Sequence, residues 1–207
     1  LLYVDFTDLK GTDDPTEDSK TFVPQFKNFY SSQSYGKVNF VVDVYPNYLH
    51  INKSSDSYGM NVWGKGDSGQ YWKDGLAVGD KVTDVGKYDL VVVIPPTKIS
   101  SIIYGPSFPL PPQDSSGKVT SGTVFNGVVG GADQRTRFTR WIWLAHEVGH
   151  DFGMEHQFTY DRQAIWDLMN NVYYATAPEL LAWNRFKLNW LDESNVKCLD
   201  KIDLSSF

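Results

Sequence analysis

The feature that most constrains this 207-residue chain is an H-E-V-G-H-D-F-G-M-E-H stretch at residues 146–156. On an α-helix, residues four apart lie on one face, so His146 and His150 can bind the same ion. Gly153 favours a left-handed end to that helix, and the reversal would bring His156 back as a third ligand. Three neutral imidazoles with one open coordination position are typical of a catalytic zinc ion. The stretch therefore predicts a single Zn²⁺ site.

Two further observations bear on this prediction. A short H-E-x-x-H arises by chance on surface helices, but the additional glycine and histidine at fixed spacing make coincidence much rarer. Of the 4 histidines in the chain, all except His50 lie inside the stretch, and we expect His50 to be structural. Glu147 follows the first ligand and leans toward the same cleft, so it is the candidate base for a water molecule on the metal.

The extended motif H-E-x-x-H-x-x-G-x-x-H resembles the signature of the metzincin zinc endopeptidases, which also carry a methionine turn downstream. The resemblance assigns that turn to Met169, as an apolar support beneath the ligands. It implies a metzincin-like α/β fold in one catalytic domain over residues 1–207. Its upper lobe (about 1–153) would hold a twisted, mixed five-stranded sheet, an active-site helix and a backing helix. A smaller, irregular C-terminal lobe (about 154–207) would lie below the cleft.

Within the metzincins, residues 2–8, 30–38 and 181–191 are similar to the secreted microbial branch that resembles immune inhibitor A. That resemblance implies an extracellular protein. In this branch the position of His156 is often an aspartate, so the histidine is a departure from the pattern. Some metzincins place a tyrosine two residues after the methionine. Here that position is an asparagine, and Tyr173 and Tyr174 are the candidates for stabilising the transition state.

Composition excludes several other classes. The chain has 41% hydrophobic and 21% charged residues, as a globular protein does. Its net charge of −6 is unfavourable for nucleic-acid binding, and no apolar run is long enough to span a membrane. One cysteine excludes an internal disulfide framework. We expect a monomer whose partner is a protein or peptide substrate.

Local patterns predict the remaining elements. Apolar runs and alternation predict strands at residues 1–6, 38–44 and 88–94. Helical spacing predicts helices at 17–32 (regular from Pro24), 71–85, 137 onward and 178–188. The resemblance to metzincins also implies an antiparallel edge strand that pairs with substrate, and one of two segments, 99–104 or 119–129, should be that strand. Gly149 inside the motif helix indicates the close approach of another backbone.

An acidic run near the amino terminus allows two interpretations. A solvated loop that leads into a helix is the first, because acids are favoured in a helix's first turn. A calcium site is the alternative, since oxygen-rich loops suit hard cations. The residues concerned are Asp8, Asp13, Asp14, Glu17 and Asp18.

These observations predict a secreted zinc endopeptidase that hydrolyses internal peptide bonds through water activated by Glu147 on the zinc ion. Two alternatives stay open. One is a zinc hydrolase confined to a narrow, specialised substrate. The other is a zinc-holding module that binds ligands in its cleft without turnover, for which the 15% aromatic content would supply contacts. The glutamate beside the first ligand favours an enzyme, because a binding module needs no base.

Overall fold

The structure is a computed structural model, and it describes residues 1–62, 64–108, 121–124, 134–156, 167–169 and 179–196. The strands are β1 (Leu2–Asp5), β2 (Leu49–His50), β3 (Leu90–Ile94), β4 (Ser107–Phe108) and β5 (Ser121–Val124). The helices are α1 (Pro15–Ser19), α2 (Val23–Gln33), α3 (Ser68–Gly79), α4 (Gln134–Asp151) and α5 (Ala182–Lys187). None of the described helices is long and apolar enough to cross a membrane.

The sheet has the strand order β2-β1-β3-β5-β4. The three longer strands β1, β3 and β5 run parallel, with Tyr3 opposite Ile94 and Val93 opposite Val124. A two-residue strand extends each edge: β2 is parallel to β1, and β4 is antiparallel to β5. The predicted α/β class is confirmed, as are the predicted strands over β1 and β3. The sheet has five strands only when both two-residue edge pairings are counted.

Alternate residues of the sheet face two separate cores. Tyr3, Val92 and Ile94 pack in one buried cluster with residues of α2 and α4. Leu2, Val4, Val91 and Val93 pack in a second cluster with residues of α3. Side chains alternate sides along a strand, so a parallel sheet with helices on both faces must be apolar at every position. This explains why β3 has the continuous sequence Leu-Val-Val-Val-Ile.

The amino-terminal acids lead into a helix, as the first interpretation of the acidic run expects. Asp14 caps α1 by accepting hydrogen bonds from the amides of Thr16 and Glu17. The single helix predicted over 17–32 is divided into α1 and α2, and Pro24 lies in the first turn of α2. The amides of a helix's first turn have no acceptor within the helix, so proline, which has no amide hydrogen, is tolerated there.

The strand predicted at 38–44 is wrong. These residues belong to no strand of the described sheet. Phe40 instead packs its ring against Phe26 and Tyr30 of α2, with centroids 4.7 and 5.3 Å apart. Val41 on the opposite side is 90% exposed. The alternation in the sequence is therefore real, but it comes from contact with the aromatic face of a helix.

The antiparallel edge strand also lies outside both segments in which the sequence predicted it. Residues 99–104 form no strand, and the second segment contains β5, which lies inside the sheet. The antiparallel edge is β4, in the proline-rich segment between the two candidates. Two residues are too few for strand periodicity to be recognised in a sequence.

Asp8 should make stability depend on pH. Its carboxylate accepts hydrogen bonds from the Ser54 hydroxyl and from the amide and hydroxyl of Ser55, at 2.7–2.9 Å. Partial burial opposes ionisation, but these bonds outweigh it and lower the pKa of Asp8 from 3.8 to about 2. The resulting stabilisation is complete above pH 3.8 and is lost as the pH falls toward 2.

We therefore expect Asp8→Asn to lower the free energy of unfolding by about 1 kcal/mol at pH 6, since the amide replaces one acceptor oxygen by a donor. The difference from wild type should shrink between pH 4 and pH 2, measured by urea unfolding. Asp56→Asn, which removes an exposed carboxyl from the same loop, is the control. A difference that stayed constant down to pH 2 would contradict this account.

Candidate metal centre

Helix α4 places the first two motif histidines side by side. His146 and His150 are one turn apart, and their ring centroids are 4.8 Å apart. The helix is buried around them: Ile142, Leu144 and Val148 all belong to the core shared with the sheet. His146 is only 7% exposed. The fold therefore holds two imidazoles on one rigid face, in an environment with little water.

The turn after α4 brings back the third histidine. Gly153 has a φ of +80°, the left-handed conformation that the sequence predicts. The amides of Gly153 and Met154 donate to the carbonyls of His150 and Gly149, which closes the end of the helix. As a result the Nε2 atom of His156 lies 3.1 Å from that of His146. The predicted return of His156 is confirmed.

Two backbone carbonyls fix the protonation of the rings. Nδ1 of His146 lies 2.8 Å from the carbonyl oxygen of Leu168, and Nδ1 of His150 lies 2.8 Å from that of Met154. A carbonyl only accepts, so both Nδ1 atoms carry a hydrogen. In the neutral rings the Nε2 atoms then carry lone pairs. These two atoms are 3.2 Å apart and face each other.

Burial keeps the rings neutral. Desolvation lowers the pKa of His146 to about 3, although its bond to Leu168 opposes the shift. Burial also lowers the pKa of His150. A proton is therefore a poor bridge between the facing lone pairs at neutral pH, whereas a metal cation would bind both.

The donor set fits zinc. With Zn–N distances of 2.0–2.1 Å, tetrahedral ligand atoms lie about 3.3 Å apart. The two Nε2 separations from His146 are 3.1 and 3.2 Å, and the ligand atoms of all three histidines lie within 4.8 Å of one another. Within the described ranges, these three residues are the group that could hold a metal ion. Two of them also have the carbonyl partners that metal-binding histidines usually possess.

Glu147 lies next to the cluster but is held from another direction. Its side chain is 6% exposed, and its Oε2 accepts a 2.8 Å hydrogen bond from the amide of Ser107 in β4. The pKa of Glu147 is raised to about 8, chiefly by burial and to a smaller extent by the nearby charge of Asp151, while the hydrogen bond from Ser107 opposes the shift. The carboxyl is therefore a stronger base than an exposed glutamate.

Met169 packs directly against the motif helix. It is fully buried, and a Cβ built on Gly149 would lie 2.5 Å from its sulfur and 3.0 Å from the methyl carbon of Met154. The reason for glycine here is therefore side-chain packing, and not the backbone approach that the sequence suggested. Met169 thus packs against the motif helix, and its role as an apolar support beneath the ligands stays a prediction.

Sequence reasoning missed three parts of this site: the Ser107 amide and the carbonyls of Leu168 and Met154. All are backbone groups, which carry no signal in side-chain identity. Tyr173 and Tyr174 lie outside the described residues, so their predicted role stays a prediction. His50 is at the end of β2, where its Nδ1 is 2.7 Å from Asp5.

The acidic residues considered as calcium ligands form hydrogen bonds or ion pairs with other residues of the protein. Asp8 and Asp14 are described above, and Asp13 accepts from the hydroxyl of Thr97. Asp18 receives two hydrogen bonds from Arg140, at 2.6 and 2.8 Å, and one from Tyr3. Glu17 pairs with Lys20. The structure gives each acid a role in the fold, and calcium binding stays a prediction.

Comparison with known proteins adds little. No family model and no curated protein sequence matches the chain. Among solved structures, the chain is similar to archaemetzincin from Methanopyrus kandleri, with 16% identity, a TM-score of 0.43 and coverage of 91% of this chain and 92% of that chain. A TM-score at this level does not establish a shared fold. The branch that resembles immune inhibitor A stays a prediction.

Packing at Gly149 gives a direct test of the site's support. Alanine in a helix interior normally stabilises by about 1 kcal/mol relative to glycine. Here we expect Gly149→Ala to destabilise the protein by roughly 1–3 kcal/mol, because the new methyl group displaces Met169. Thermal unfolding of Gly149→Ala, Met169→Ala and the double variant measures this. In the Met169→Ala background the alanine should cost much less; an equal cost in both backgrounds would show that Met169 is not the obstacle.

Proposed function

We propose that this protein is a zinc-dependent hydrolase of peptide bonds. The observation that carries the proposal is the pair of facing Nε2 lone pairs on His146 and His150, with the Nε2 of His156 beside them. Imidazole nitrogens so close together are stabilised by a cation, and three nitrogen ligands leave one coordination position for chemistry.

The reaction follows from the groups around that position. A bound zinc ion would supply Lewis acidity, which acidifies water and polarises a carbonyl group. Glu147 would take a proton from the attacking water and transfer it to the leaving amine. The Ser107 amide holds the Oε2 atom of Glu147. Burial raises the pKa of this carboxyl, and a cation on the neighbouring histidines would favour the ionised form that can accept a proton.

An extended peptide is the substrate that the sheet favours. Strand β4 is the last strand in the order, and the Ser107 amide contacts Glu147. A peptide that adds to this edge as a further strand would pass close to the catalytic carboxyl. Because an edge strand recognises backbone groups and not chain ends, this arrangement supports endopeptidase activity.

Zinc binding is the first expected outcome. The wild type should bind one Zn²⁺, and zinc at 100 times its dissociation constant should raise the free energy of unfolding by about 2.7 kcal/mol. His156→Ala should lose most of this gain, since it removes an exposed ligand that lies beyond the end of α4. His50→Ala, which removes the histidine outside the motif, should retain it. Wild-type protein whose stability zinc leaves unchanged would contradict the proposal.

Catalysis is tested separately with Glu147→Gln, which keeps an acceptor for the Ser107 amide but cannot take a proton. We expect bound zinc to be unchanged and cleavage of an unfolded protein such as casein to fall by at least 100-fold. Equal cleavage by both proteins would remove Glu147 from the mechanism. Bound zinc with no cleavage by either would favour the alternative of a cleft-binding module or a very narrow substrate range.

Secretion, a monomeric state and a single catalytic domain belong to the same proposal. Secretion is supported by the sequence resemblance to the secreted microbial branch that resembles immune inhibitor A, and a single domain is supported by the length of 207 residues. Analytical ultracentrifugation of the purified chain tests the monomer, and a dimer at micromolar concentration would refute it.

A further inference from the structure

Residues 167–169 form a short turn that contacts the histidine cluster in two ways. The carbonyl of Leu168 accepts the hydrogen bond from Nδ1 of His146, and the side chain of Met169 packs against Gly149. All three residues of the turn are buried, with Asp167 at 0% exposure. The orientation of His146 therefore depends on what holds this turn in place.

The Asp167 carboxylate is what holds it. One oxygen accepts a 2.7 Å hydrogen bond from the amide of Met169 within the turn. The other accepts from the amide of Leu181 and from the side-chain amide of Asn184, both at 3.1 Å. One buried side chain thus ties the turn to the start of α5. The carboxylate accepts all three hydrogen bonds from nitrogen donors. A buried carboxylate needs such donors, because water does not reach it.

A second contact reinforces the same connection. The amide of Leu168 donates to the carbonyl of Glu179 at 3.0 Å. The neighbouring amide of Leu180 donates to the side-chain oxygen of Gln33 in α2, also at 3.0 Å. Gln33 anchors the 179–184 segment to α2, and among the described residues it forms no hydrogen bond with the 167–169 turn itself. It therefore offers a matched comparison for Asp167.

We propose that Asp167 is a positioning residue for the metal centre, acting through the Leu168 carbonyl on His146. This inference rests on the zinc binding of the proposed function, but not on peptide hydrolysis. The carboxylate fixes the carbonyl that sets the tautomer and angle of the most buried ligand. Partners of this kind typically contribute 10–100-fold to metal affinity.

The experiment compares Asp167→Asn with Gln33→Met in the full chain. Asparagine keeps the size of the side chain but replaces one acceptor oxygen by a donor, so in either orientation of the amide at least one of the three hydrogen bonds is lost. Zinc dissociation constants are measured by chelator competition, thermal unfolding is measured without metal, and the absorption spectrum of the Co²⁺-loaded protein reports ligand geometry. We expect Asp167→Asn to weaken zinc binding 10–100-fold and to alter the Co²⁺ spectrum. Gln33→Met should lower the melting temperature of the metal-free protein while zinc affinity and spectrum stay as in the wild type.

A third variant, Asn184→Ala, removes one of the three bonds and should weaken zinc binding by a smaller factor. If Asp167→Asn does not fold, the zinc affinity of Asn184→Ala tests the proposal instead. Unchanged zinc affinity and an unchanged Co²⁺ spectrum in the folded variants would overturn the proposal, as would an equal loss of affinity in Gln33→Met. Wild-type protein that binds no zinc would overturn both this inference and the proposed function. Zinc binding without peptide hydrolysis would overturn only the latter.

Discussion

The hydrogen bonds from two imidazoles to backbone carbonyls are the interaction on which the site depends. Without them His146 and His150 could adopt either tautomer, and their Nε2 atoms would not be fixed as acceptors. Each carbonyl comes from a reversal of the chain: Met154 from the left-handed turn at Gly153, and Leu168 from the turn at 167–169. The chemistry of the cluster is therefore set by backbone geometry, and side-chain identity alone does not determine it.

The rigidity of α4 comes from the packing behind it. Tyr30 of α2 is buried and donates a 2.6 Å hydrogen bond to the carbonyl of Ala145, the residue before the first ligand. Its ring contacts Phe152 just beyond α4 and Trp190 near the carboxyl end of the described chain, with centroids 5.5 and 6.1 Å away. The aromatic residues thus join three separate segments around the motif helix. The structure gives these rings a role in the core, where the sequence left a binding cleft as an alternative.

The parts of the site that sequence could predict are those set by local geometry. Residues four apart on a helix share a face wherever the helix lies, and a glycine at the helix end permits the reversal that brings His156 back. The Ser107 amide and the Leu168 carbonyl could not be predicted in this way. They approach α4 only after the sheet edge and the 167–169 turn have packed. Any residue type could supply the carbonyl, and any except proline could supply the amide. The false strand at 38–44 has a related cause, because alternation of apolar residues does not reveal whether the partner surface is a strand or a helix.

Because Glu147 is buried, its action as a base depends on the metal ion. A carboxylate in a dry site is costly unless a cation compensates it, and among the described residues Glu147 forms no ion pair. Its hydrogen bond from Ser107 is a weaker compensation, which is why its pKa stays raised. A dication held by the neighbouring histidines would favour the ionised form. Burial therefore raises the basicity of the carboxyl and also makes its ionised form depend on the ion. In this arrangement Glu147 can act as a base only when the metal is bound.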